Sequence, residues 1–553
     1  MIRKILLGSV LGVQLLTSAD SGPILADSAQ AGDLGGVRTK IQQKADLNRA
    51  QADGMTALHW AAANGDLAMT QLLLNAGASP QVETRLGGIT PLFLAAKNGN
   101  AAVGQALLKA GAKPDAVDGT GATPLMLAAN AAASDLMEAL LAKGASVNAK
   151  ENAHGQTALM FAAAANRGDA VSVLMKHGAD AEIATSVVDP GCGTLFAKSM
   201  GCGGGGDNAD APDSGDNPAA TGKKGGGGKG GGRRRGPTVM GGMTALLFAA
   251  RDGRTDAARA LIESGAKIDN PGVGEKMTPL VMAIVNGHYD LAAYFLDRGA
   301  DPNLANIEGL TALYATVDMQ WAPYAYRPQP SASAAEISYL ELMKTLLAHG
   351  ANPNATLGQR PWFRSLPQDR TWVDPAGATA FWRAAQAADV DAMRVLVKAG
   401  ADPKLANAEG DTSLMVAAGL GWATNFSRNV PGGWFAAVQY CLELGMDVNA
   451  RSAKGYTPLH GAAFIGDNPL IQFLVGKGAD VRAVANDKNT VADMANGPIE
   501  HSVLHPDTVA MLEKLGSANS NNCRSDNCFV AAQSGRQGKS KDSAPTGKPD
   551  GVP

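Results

Sequence analysis

The sequence predicts an all-α solenoid of stacked helix–turn–helix units, and three observations carry that prediction. A Thr-x-Leu type of helix start recurs eleven times between Thr56 and Thr490, at steps of 34, 33, 34, 87, 34, 33, 68, 33, 45 and 33 residues. Paired small residues follow at a constant offset, as Ala61-Ala62, Ala95-Ala96, Ala128-Ala129, Ala249-Ala250 and Ala462-Ala463. A glycine closes unit after unit: Gly77, Gly111, Gly144, Gly178, Gly265, Gly299, Gly350, Gly400 and Gly478. A fixed period near 33 residues marks units too small to bury their own apolar faces, each completed by its neighbours.

Residues 87–120 show what each element does. Thr90 is placed to cap a first helix with its hydroxyl, and Pro91 occupies the first helical position, where its missing N–H is no loss. The same pair recurs as Thr123-Pro124, Thr278-Pro279 and Thr457-Pro458. The small pair Ala95-Ala96 lets adjacent first helices approach closely, and Asn98-Gly99, like Asn64-Gly65 and Asn286-Gly287, turns the chain. Leu107-Leu108, with Leu73-Leu74, Leu140-Leu141 and Leu346-Leu347, supplies the apolar stripe of a second helix. Gly111 then falls where a helix ends in a left-handed residue, and an extended polar connection leads to the next threonine.

These residues resemble ankyrin repeats. Gly-Met-Thr56-Ala-Leu58-His59-x-Ala-Ala and Gly455-Tyr-Thr457-Pro-Leu-His460-Gly-Ala-Ala follow the family motif almost letter by letter, and the resemblance covers residues 28–515. It implies a curved stack of helix pairs, hairpin loops projecting from it, and a concave face that binds partners. The family's motif residues are structural, so the resemblance assigns scaffold roles and no chemistry. Thr379-Ala-Phe-Trp, Thr412-Ser-Leu-Met and Thr490-Val-Ala-Asp depart from the pattern by lacking the His.

The expected organisation is an opening unit at 28–52, units starting near 53, 87, 121, 155, 242, 276, 309, 377, 410 and 455, and a closing unit at 488–516. Met1 to Ala26 read as a secretory signal peptide: Arg3-Lys4, an apolar run from Ile5 to Leu16, then small residues, with cleavage after Ala19 or Ala26. Repeats at 27–188 and 242–516 are then parted into two lobes by a Gly-rich insertion at 189–241, and 517–553 form a tail. Composition predicts disorder for both the insertion and the tail. A net charge of −3 gives no general attraction to nucleic acid. No later segment is long and apolar enough for an integral membrane helix.

Five cysteines suit an oxidising compartment. Cys192 with Cys202, and Cys523 with Cys528, are candidate local disulfides, whereas Cys441 on a second helix reads as a buried free thiol. Neither pair has the tight spacing of a zinc site, so no metal is expected.

Aromatic residues are scarce, yet six of seven tryptophans lie between 321 and 434, within or beside three insertions. The segment 319–336 carries Trp321, Tyr324, Tyr326 and Arg327; 357–376 carries Arg360, Trp362, Phe363, Arg364, Arg370 and Trp372; 420–434 carries Trp422, Asn425, Phe426, Arg428 and Trp434. The first and third separate the two helices of their units, and the second extends a hairpin loop. In a curved stack these places lie on opposite rims of the groove, so both rims would carry the aromatic and arginine residues typical of binding hot spots. The opposing expectation is that the aromatics fold back as a local core, and Trp382, on a first helix, is expected to pack.

No catalytic setting appears. His59 and His460 sit in the recurring motif as loop organisers, His501 and His505 lack a third ligand, and no Gly-x-Ser-x-Gly elbow or phosphate loop is framed by the right elements. The sequence therefore reads as a monomeric, exported, periplasmic scaffold without enzyme activity or cofactor, binding another protein. The alternatives are a carbohydrate- or cell-wall-binding module that uses the aromatic loops, an uncharacterised hydrolase, and an extracellular rather than periplasmic location.

Overall fold

Threonine hydroxyls start the helices where the spacing places them. In the computed structural model, which describes residues 24–188, 240–323, 335–361, 372–424, 426–497 and 503–520, the Oγ1 of Thr90 accepts from Phe93 N at 3.3 Å and that of Thr379 from Trp382 N at 3.2 Å. Prolines 91, 124, 279 and 458 each occupy the first turn. Helices end as read: Gly77 has φ +101° and caps Leu67–Ala76 in the left-handed region, which costs glycine least. Where the turn glycine is replaced the turn persists, with Ala132 at φ +59° and Ala388 at φ +54°, so packing of the helix pair holds residues that would rarely adopt this conformation.

The chain divides into two compact units. The first takes described residues up to Ala162 together with Asp169–Ala179. In it, first helices Leu25–Gln30, Ala57–Asn64, Pro91–Lys97 and Pro124–Asn130 pack in series as one layer. Second helices Leu34–Gln42, Leu67–Ala76, Ala101–Lys109 and Ser134–Ala142 form the other. Ala61, Ala62, Ala95, Ala96, Ala128 and Ala129 have no exposed surface, which is what the close approach of first helices requires.

The second unit takes Ala163–Gly168 and the described residues from Asp180 onward. First helices Ala245–Asp252, Pro279–Val285, Ala312–Gln320, Ala380–Gln386, Ser413–Ala417, Pro458–Ile465 and Val491–Ala495 pack one on the next. A two-residue antiparallel pair joins Val187–Val188 to Met240–Gly241 and brackets the Gly-rich insertion. At the end of the series, Asp493 stands where other units carry His. It accepts from Thr490 N at 3.0 Å and from Ser520 N at 2.8 Å, so the segment after the last helix closes the final unit.

A ladder of asparagines links successive units of this second body. The carboxamides of Asn303, Asn354 and Asn449 donate to the closing glycine carbonyls of Gly350, Gly400 and Gly478 at 2.9, 3.1 and 2.9 Å. The same side chains accept from Asn352 N, Asp402 N and Asp480 N at 2.7, 2.7 and 2.8 Å. Each asparagine thereby satisfies helix-end groups that would otherwise rely on water.

Candidate functional site

The floor of a cleft is laid by three consecutive first helices. Ala312–Gln320 places Tyr314 and Asp318 one turn apart, Ala380–Gln386 places Arg383 and Gln386 on one face, and Ser413–Ala417 with its following turn contributes Val416 and Leu420. Over this floor stand Trp321 and Pro323 from the first insertion, Arg360, Pro361, Val373 and Pro375 from the second, and Trp422, Ser427, Arg428 and Trp434 from the third. The space they bound is about 630 Å³, its open mouth included. The described parts of all three insertions thus converge on one cleft instead of standing on separate rims.

Fixed hydrogen bonds hold the walls. Arg383 Nε donates to Asp318 Oδ1 at 2.9 Å, with side chains only 7 and 10 % exposed, and its Nη2 donates to the Trp321 carbonyl at 2.6 Å. Trp321 Nε1 donates to Asp389 Oδ2 at 2.8 Å, which also receives the Tyr339 hydroxyl at 2.7 Å. Asp389 caps the helix Val390–Lys398 through Ala392 N at 3.0 Å, so its carboxylate joins helix start and indole in one network. Burial first, and the hydrogen bond to Asp389 second, push the Tyr339 phenol well above its ordinary value and keep it a donor. Arg360 Nη2 donates to the Val373 carbonyl at 2.7 Å and Arg428 Nη1 to the Ala322 carbonyl at 3.5 Å. Val430 N donates to the Ala387 carbonyl at 2.9 Å, tying the third insertion to the end of helix Ala380–Gln386.

The other sequence-derived candidates fall in three groups. Trp422 and Trp434 meet edge to face, centroids 5.0 Å apart at 80°, and both are half-buried on the cleft wall. Trp372 packs elsewhere, 5.5 Å from both Tyr456 and Phe464 in edge contacts, and its buried Nε1 makes no hydrogen bond. Phe426 is half-buried beside the cleft and does not line it. Tyr324, Tyr326, Trp362, Phe363 and Arg364 lie outside the described residues, as do Cys192, Cys202, Cys523 and Cys528.

Trp382 has no exposed surface and donates to the Asp411 carbonyl at 2.8 Å, as its place on a first helix requires. Cys441 is a buried free thiol, its pKa pushed up by burial. His59 organises its loop, Nδ1 lying 2.8 Å from Thr56 Oγ1 and Nε2 2.9 Å from the Ile89 carbonyl.

Sequence reasoning missed Asp318, Arg383 and Asp389. A signal for Arg383 was present: four residues after the helix-starting threonine, other units carry Trp60, Leu94, Leu127, Phe161, Phe248 and Met282, and only this one carries a guanidinium. No group of three or more His, Cys, Asp or Glu residues that could hold a metal ion occurs among the described residues.

Helix pairs repeating in register, capped by threonine and closed by left-handed glycine, define a helical repeat protein with a cleft built on insertions. The chain belongs to the ankyrin-repeat family: the model for three-copy ankyrin repeats matches residues 25–118, 92–185 and 232–306, and that for many-copy repeats matches 430–475, together just over half of the chain. It is similar to the putative palmitoyltransferase ZDHHC13 of Danio rerio, with 32 % identity over 32 % of this chain and 27 % of that protein. It is also similar to the probable E3 ubiquitin-protein ligase XBOS32 of Oryza sativa subsp. japonica, with 36 % identity over 45 % of this chain and 40 % of the relative. A third relative is ankyrin repeat and SOCS box protein 16 of Homo sapiens, at 27 % identity over 46 and 48 %. The chain spans less than half the length of each of these relatives.

Proposed function

We propose that this protein is an exported ankyrin-repeat scaffold that captures a partner protein, as a monomer, on the concave side of its second unit. The observation that carries the reading is the meeting of three separate insertions over the first helices at Asp318, Arg383 and Val416. Insertions that served only to lengthen loops would have no reason to converge, whereas aromatic and arginine side chains around a held cleft form a binding hot spot.

The chemistry of the described cleft supports the binding reading. Among the described lining residues the one carboxylate, Asp318, pairs with Arg383, and arginine does not exchange protons near neutral pH. Stacking of a sugar finds no support in the tryptophan pair, because rings at 80° offer no shared flat platform.

Export to the periplasm rests on the signal-like start and on cysteine usage. Cleavage after Ala19 leaves Leu25–Gln30 whole, whereas cleavage after Ala26 would sever that helix and remove Leu25, buried in the first unit. The mature chain would therefore begin at Asp20, which N-terminal sequencing of secreted material checks.

The binding reading is tested by immobilising the full chain and the variants Trp321→Ala and Trp434→Ala and presenting envelope extract to each. Retention of one partner by the parent and loss of at least about tenfold in affinity by both variants, a cost of about 1.4 kcal/mol, is expected. Undiminished capture by folded variants would overturn it.

A further inference from the structure

We infer that the cleft seats a proline-rich segment of the partner in the extended polyproline conformation, its rings against the indoles and its backbone carbonyls accepting from their N–H groups. This deepens the protein-binding reading and rests on it.

Hydrogen-bond complementarity is the first argument. Trp321 commits its indole N–H to Asp389. Among the described residues nothing accepts from Nε1 of Trp422 or Trp434, and neither atom is sealed from water. The Gln386 carboxamide on the floor is likewise without a partner among the described residues. The Ser427 oxygen already accepts from Ala423 N at 3.0 Å, which leaves its proton to donate. Asp318, the one carboxylate among the described lining residues, is paired with Arg383. The neutral side chains therefore offer several donors and, on Gln386, one open acceptor. The peptide unit that suits such walls is X–Pro, whose carbonyl accepts and whose nitrogen has no hydrogen to satisfy.

Shape is the second. Trp422 and Trp434 meet at 80° with centroids 5.0 Å apart, so their planes enclose a corner rather than a slot. Trp321, Pro323 and Pro375 are half-buried on the same walls. The surface a ligand meets is theirs, because Val373, Val416 and Leu420 beneath are sealed by their neighbours. A pyrrolidine ring is compact and apolar, and aromatic-lined grooves are what proline-rich segments dock into.

The third argument is order on both sides before contact. A polyproline helix is already extended, makes no internal hydrogen bonds and repeats every three residues, so prolines three apart face the same wall. On the protein's side, Asp389 holds the Trp321 ring, and Val430 N holds the third insertion to the Ala387 carbonyl. Groups fixed in advance lose less entropy on binding.

The experiment titrates the full chain by calorimetry with a peptide of three Pro-Pro-Ala repeats and with matched peptides in which every proline is alanine or leucine, all carrying the same lysine ends. Trp422→Phe and Trp434→Phe, which keep a ring and remove the N–H, are titrated beside the parent. Expected is binding of the proline peptide at least about tenfold tighter than of either control. Each folded Phe variant should weaken that binding about fivefold, as for the loss of one hydrogen bond, and leave the controls unchanged. Equal affinity for the proline and leucine peptides, or undiminished proline binding by both folded Phe variants, would overturn the inference and leave the partner-capture reading standing. Absence of proline-peptide binding by the folded parent would overturn it too. The partner-capture reading falls with it only if Trp321→Ala captures partner as well as the parent does.

Discussion

Arg383 and Asp318 form a buried ion pair between two neighbouring first helices, Nε to Oδ1 2.9 Å, at the base of the cleft. Removing one partner strands the other charge away from water, which typically costs about 3–5 kcal/mol. Asp318→Asn and Arg383→Met should each lower stability by that order in denaturant unfolding. The double replacement Asp318→Leu/Arg383→Met should recover most of the loss, because no lone charge remains. Additive losses would show that the two side chains act independently.

Trp372 and Trp434 should separate when each is replaced by Ala. Trp372 packs edge-on against Tyr456 and Phe464, so its loss removes ring contacts and leaves a void, a change of about 2–4 kcal/mol. Trp434 is half-buried on the cleft wall, and its loss should weaken binding more than stability. Thermal unfolding beside partner affinity distinguishes the two, and equal thermal losses would place both in the core.

His460 should make the second unit acid-sensitive. It has no exposed surface, and burial pushes its pKa from 6.5 down to about 4, so it is neutral in the fold. As pH falls below 6.5 the unfolded chain takes up the proton first, and stability is lost between about pH 6.5 and about 4 before levelling off. A shift of this size corresponds to about 3 kcal/mol. His460→Gln should flatten the difference across that window in denaturant unfolding measured against pH. An unchanged pH profile would mean that this histidine carries no such linkage.

Asn354 tests the ladder. Its carboxamide donates to the Gly400 carbonyl at 3.1 Å and accepts from Asp402 N at 2.7 Å. Asn354→Ala should cost about 1–2 kcal/mol and speed amide exchange at Asp402, whereas a solvent-exposed asparagine without these bonds would change neither. Hydrogen exchange of the variant against the parent reads both effects.

The architecture was legible because each repeat announces its own boundaries: threonine, proline and glycine act locally, and their spacing survives insertions. Trp382 and Cys441 were placed as packed residues for the same reason, since a position within a repeat fixes its burial. The cleft was only half legible. Clustered tryptophans marked the insertions, yet Trp321 meets Asp389 and Arg383 only after two helix pairs stack, contacts 68 and 62 residues apart in sequence. Trp372 shows the converse. It shares an insertion with Arg360 but turns to Tyr456 and Phe464, because the direction of an extended loop is set by what lies beneath it.

The central claim is that a partner occupies the cleft closed by the insertions, and fluorine NMR of the full chain labelled with fluorotryptophan tests it most directly. On adding captured partner, the resonances of Trp321, Trp422 and Trp434 should shift while those of Trp60 and Trp382 stay in place. Bound partner that moves Trp60 alone, or leaves all three cleft tryptophans unchanged, would contradict the account.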